Sequence, residues 1–80
     1  MRTTSPRLEV AANMRAELAR RGLVQRHLAA FMGWTRSSTS RRLDGTTPID
    51  IDEVYQVAEF FGMPPLALFP DVPATSAKAS

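Results

Sequence analysis

The chain contains no cysteine. That excludes disulfides, a thiolate metal site and a cysteine nucleophile. It contains one histidine, His27, and with no second histidine a metal site built from protein ligands is not expected. No apolar run approaches the length of about 18 residues that crosses a membrane, and the opening MRTTSPRLEV has no apolar signal-peptide core. The expectation is a soluble protein of the cell interior. No stretch reads as a convincing strand, and no internal repeat is visible. Eighty residues make one small domain, which without staples must rely on well-packed helices, dimerisation or both. The 44% of apolar residues suffices for one core and is too much for a disordered chain.

The net charge of +2 hides an asymmetry. Residues 1–42 hold nine arginines against Glu9 and Glu17, a balance of +7. Residues 43–80 hold only Lys78 against Asp44, Asp50, Asp52, Glu53, Glu59 and Asp71, a balance of −5. A basic first half fits a polyanionic partner; the plainer reading is ordinary solvated helix surface.

Residues 1–4 read as a frayed end, residues 5–70 as the folded domain, and residues 71–80, DVPATSAKAS, as a loose tail without apolar periodicity. Ser5 and Pro6 start a first helix that carries Val10, Ala11, Met14 and Leu18 inward and ends at Arg21 before Gly22. A second helix spans Gln25 to Met32, with Leu28, Ala29 and Met32 buried and Phe31 either beside them or at an edge. Gly33 ends it. Thr35 caps a third helix from Arg36 to Leu43, closed by Gly45. Asp50 and Glu53 form a capping box for a fourth helix, which runs to Phe61 with Val54, Val57, Ala58 and Phe61 inward. Pro64-Pro65 opens a last short turn bearing Leu66, Leu68 and Phe69, and Pro70 stops it.

With these elements placed, Gln25, Leu28, Ala29, Gly33, Thr35, Ser37, Ser40, Leu43 and Gly45 form a pattern. It resembles the helix-turn-helix of the phage repressor and Cro-like (XRE) family, over about residues 7 to 69. The resemblance implies an all-α, compact five-helix lambda-repressor-like domain. It implies that helix 3 enters the major groove, that Arg36, Ser37 and Arg41 read bases, and that Gln25 contacts a phosphate. Three positions depart from the family pattern. Val24 stands where a Thr or Ser cap is common, Thr39 where an aliphatic residue plugs the core, and Trp34 where a smaller apolar residue fills the turn.

The roll of helix 3 has two readings at about 100° per residue. With Thr39 and Leu43 inward, Ser37, Ser38 and Arg41 point away; with Arg42 inward, Arg36, Ser37, Ser40 and Arg41 do. The first is favoured, because burying an unpaired Arg42 costs several kcal/mol. Ser37 and Arg41 face outward in both. The base-reading candidates are therefore Arg36, Ser37, Ser38, Ser40 and Arg41, with the arginines suited to guanine O6 and N7. The phosphate candidates are Gln25, Arg26, Thr35, Arg42, Thr46 and Thr47. Arg36, like Arg26 and His27, sits at a helix N-terminus, where a cation opposes the dipole; an external anion offsets that cost. Arg41 and Arg42, near a C-terminus, are favourable without a ligand. Thr46 and Thr47 fit backbone contact and plain turn chemistry equally. Trp34 reads as a plug in the turn or a stacking platform.

These readings converge on a sequence-specific regulator of double-stranded DNA, of small phage or prophage repressor type, in the bacterial cytoplasm. One small module buries little surface, so a homodimer on a palindromic operator is expected, with Phe60, Leu66, Leu68 and Phe69 as interface candidates or simply as core cover. The alternative is a protein-interaction module on the same fold, binding a toxin, polymerase or host factor through the acidic second half. No catalytic residue, cofactor, metal or small-molecule ligand is expected: Asp50 and Glu53 are explained by capping, and no nucleophile motif surrounds the serines.

Overall fold

A computed structural model of the chain describes residues 5–70; the expected frayed start and loose tail lie outside the described residues. Four α-helices follow in order: α1 (Pro6–Arg20), α2 (Gln25–Met32), α3 (Arg36–Leu43) and α4 (Ile51–Phe61). A single 3-10 turn, Pro65–Leu68, stands where a fifth helix was expected. Its brevity has a local cause. Pro65 sits at the first helical position, where its missing N–H costs nothing, but Pro70 follows five residues later with no N–H to bond back and disfavours helix at Phe69, so the run stops after one turn. Among the described residues there is no strand, and no helix is long and apolar enough to cross a membrane.

The helix ends follow their local chemistry. Pro6 starts α1, while the backbone carbonyl of Ser5, rather than its hydroxyl, accepts from Leu8 and Glu9. Past the end of α1, Leu23 N–H returns to Leu18 O at 2.9 Å, and Leu23 packs on the core. The turn between α2 and α3 takes only Gly33, Trp34 and Thr35, because Gly33 adopts φ 74° and reverses the chain at once. At α4 the capping box is complete: Glu53 N–H donates to Asp50 Oδ1 at 2.8 Å, and Asp50 N–H donates to Glu53 Oε1 at 3.1 Å.

The core takes Val10, Ala11, Met14 and Leu18 from α1, Leu28 from α2, and Val54, Val57, Ala58 and Phe61 from α4, with Leu43 and Leu68 closing it. Phe31 lies at the edge, 50% exposed, against Phe60 with ring centroids 5.1 Å apart. Asn13 donates to Leu68 O at 2.8 Å, pinning the 3-10 turn to α1. α3 is the least apolar helix; its buried side chains are Thr39 and Leu43. Thr39 is 0% exposed, and its hydroxyl donates to Thr35 O at 2.8 Å, so a polar residue fills the apolar plug position without an orphaned group.

Candidate nucleic-acid interface

Thr39 and Leu43 are buried, as in the first reading, yet Arg42 is also turned inward and the exposed set is that of the second, so α3 combines the two. Arg36, Ser37, Ser40 and Arg41 are exposed, and neither arginine forms an ion pair among the described residues. Ser38 is half-buried, and its hydroxyl accepts from Arg42 Nη1. It leaves the base-reading set, because its hydroxyl is engaged within its own helix.

The starts of α2 and α3 meet across a cleft of about 620 Å³ lined by Val24, Gln25, Arg26, Ala29, Arg36 and Thr39. It brings together three predicted contact residues: Gln25, Arg26 and Arg36. Val24 has no side-chain acceptor, so the first amides of α2 are uncapped by it. Its own N–H donates to His27 Nδ1 at 3.1 Å, and its carbonyl takes the His27 N–H at 2.9 Å. The N–H groups of Gln25 and Arg26 donate to no described residue. The cleft therefore lies at a helix N-terminus whose Gln25 and Arg26 amides have no described acceptor, beside two cations, an arrangement that attracts an anion. At α3 the Thr35 hydroxyl accepts from Ser38 N–H at 3.0 Å. That cap occupies the acceptor side of a hydroxyl predicted to meet phosphate.

Arg42, predicted to reach a phosphate along the flank, turns inward instead. Its side chain is 17% exposed. Its guanidinium lies 4.4 Å from the centroid of Trp34 and meets Glu53 edge-on, with Nε to Oε1 at 3.4 Å and Nη2 to Oε2 at 3.2 Å. A carboxylate and an indole face supply the partners whose absence would have made burial costly. Trp34 is half-buried against the core and carries Arg42 on its exposed face, so it works as a plug rather than as a free platform.

The loop after α3 follows turn chemistry. Thr46 N–H donates to Asp44 Oδ1 at 2.9 Å, and Thr47 N–H donates to Arg41 O at 3.1 Å. Both amides are used internally. The Thr46 hydroxyl, and after it the Thr46 N–H, hold the Asp44 carboxyl below its ordinary value. Asp44 thus places a negative charge at the end of α3.

Among the interface candidates, Leu68 is 0% exposed inside its own chain and drops out of any dimer contact. Phe60 and Phe69 are half-buried against the core, whereas Leu66 is 77% exposed. Three structural roles went unforeseen. Arg15 Nη1 donates to Leu43 O and ties the end of α3 to α1. Glu53 serves α3 as well as its own cap. His27 occupies the third helical position, where Glu or Gln normally reaches back in a capping box; that spacing was the available signal.

A family model described as the BetR domain matches residues 6–79. Among solved structures, a crystal structure of a hypothetical transcription factor, NHTF, from Neisseria matches with a TM-score of 0.76 and 24% identity. The match covers 95% of this chain and 86% of that one, and shows a shared fold. No curated protein matches. Since the family model takes in residues 6–79, all but the extreme ends, the chain belongs to the BetR domain family.

Proposed function

We propose that this protein is a sequence-specific regulator of double-stranded DNA, a small repressor of phage or prophage type with Cro-like (XRE) character, working in the bacterial cytoplasm. α3 enters the major groove and reads bases with Arg36, Ser37, Ser40 and Arg41, while the α2 start, with Gln25 and Arg26, grips a phosphate. The observation that carries this reading is the cleft shared by Gln25, Arg26 and Arg36. Two arginines stand there at helix N-termini, against the dipole, with no carboxylate partner among the described residues. DNA phosphate offsets that local cost. The description of the Neisseria structure as a hypothetical transcription factor supports the same reading.

We further propose a homodimer on a palindrome, since one module of this size buries too little surface for tight specific binding. Exposed Leu66, flanked by Phe69, is the contact this reading favours. A protein-interaction role is the second reading. It draws on Ile51 and Tyr55, both exposed on α4 beside Asp52 and Glu59. The test is selection from a random duplex pool, followed by titration of the selected duplex at increasing salt. The DNA reading expects an enriched site whose affinity falls steeply with salt. No enrichment and no salt dependence would favour the interaction module.

A further inference from the structure

We propose that Arg42 and Glu53 are positioning residues that set the roll of α3 and so the base preference of its outward face; this rests on the DNA reading above. The grip of α3 on the scaffold is thin. Thr39 and Leu43 are its buried side chains. Four residues apart, they lie about 40° from one another on a single strip. A strip of contacts resists lifting but resists rocking poorly. Arg15 fixes the far end through Leu43 O. Arg42 fixes the flank.

The flank contact is built from three sides. Trp34 lies under the guanidinium plane at 4.4 Å, Ser38 takes Nη1, and Glu53 takes Nε and Nη2. Glu53 does not swing freely, because its Oε1 also accepts from Asp50 N–H at 3.1 Å. The start of α4 therefore holds the flank of α3 through one carboxylate. With Arg42 and Glu53 side chains 17% and 21% exposed, the pair is sheltered enough for its geometry to count.

Two substitutions separate positioning from phosphate contact. Lysine serves a phosphate as a point charge but reproduces neither the fork nor the stacking of arginine. Glutamine at position 53 keeps the capping box while removing the charge that holds Arg42. Removing a carboxylate near a polyanion ordinarily strengthens binding, so a loss at this position carries the opposite sign.

The experiment measures fluorescence anisotropy of wild type, Arg42→Lys and Glu53→Gln on the selected duplex and on one with a base changed in each half-site, over a range of salt. Circular dichroism confirms that each variant is folded. Positioning expects both variants to lose about tenfold in discrimination between the duplexes, with the salt slope unchanged in Arg42→Lys. Undiminished discrimination in Arg42→Lys, or a Glu53→Gln protein that binds both duplexes more tightly by one factor, overturns it. Should Arg42→Lys fail to fold, Glu53→Gln decides alone. Absence of salt-dependent duplex binding by the wild type marks failure of the DNA reading, and this inference falls with it.

Discussion

The guanidinium of Arg42 lies 4.4 Å from the ring centroid of Trp34, so the turn of the helix-turn-helix and the flank of its second helix share one contact. Trp34 also packs on the core cluster, which makes it a joint between the two. Trp34→Ala removes half-buried aromatic surface and leaves Arg42 without its plane. Stability is expected to fall by about 2 kcal/mol, measured by urea unfolding. Trp34→Phe keeps the plug and is expected to recover more than half. An unchanged midpoint for the alanine variant would show that the joint is ornamental.

Gly45 is buried at φ 84°, and a Cβ at this position would clash with Leu8 Cδ2. The clash involves the tip of a flexible, partly exposed side chain, so Leu8 can give way. The left-handed backbone cannot. Gly45→Ala is therefore expected to cost about 1–2 kcal/mol, from the backbone. Adding Leu8→Ala should restore little of it. A double variant as stable as Leu8→Ala alone would assign the cost to space instead.

Thr39 invites the opposite change. Its hydroxyl donates to Thr35 O, but the Thr39 N–H already reaches that carbonyl at 3.0 Å. Thr39→Val strands no acceptor and exchanges a buried hydroxyl for a methyl of similar size. It is expected to stabilise the fold by about 1 kcal/mol without altering duplex preference. Thermal unfolding and anisotropy check the two halves; a lower melting temperature would mean that the hydroxyl bond outweighs its burial.

Much of this arrangement is legible from residue types because the signals are local. Gly33, Thr35, Asp50 with Glu53, and Gly62 bracket α2, α3 and α4 with capping chemistry that depends on neighbours a few residues away. Periodicity alone names Val10, Met14, Leu18, Val54, Val57 and Phe61 as core. What stayed hidden is set by contacts distant along the chain. A helical wheel leaves Arg42 two directions and does not show that Glu53 stands beside it, and the capping box by itself already accounts for Glu53. Leu66 and Leu68 are equally apolar on paper; only the seat of the 3-10 turn against Asn13 buries one and exposes the other.

Glu17 accepts from Nη1 of both Arg20 and Arg21. The bond from Arg21 foremost holds its carboxyl below the ordinary value of 4.5, against a smaller opposing effect of burial. A carboxyl depressed in the folded state contributes stability above its unfolded value and loses it as pH falls through the folded one. Stability is expected to decline as pH drops below 4.5. Glu17→Gln should flatten that decline while Asp44, depressed by Thr46, retains its share. Melting temperatures across the acid range decide it; parallel curves for variant and wild type would remove Glu17 from the account.

Arg26 and Arg41 are both exposed and both free of ion pairs among the described residues, yet they stand in different surroundings. Arg26 lines the cleft at the start of α2, where the uncapped amides favour a phosphate. Arg41 lies on the outward face of α3, clear of the Thr39 and Leu43 strip, where a guanidinium can meet guanine O6 and N7. Alanine at position 26 is therefore expected to weaken all duplexes alike and to lower the salt slope by about one. Alanine at position 41 is expected to cost about 1–3 kcal/mol on the selected site and less on an altered one, relaxing preference. Anisotropy on the paired duplexes separates the two. Equal losses on both duplexes for Arg41→Ala would move it to the phosphate set and leave Arg36, Ser37 and Ser40 to read the bases.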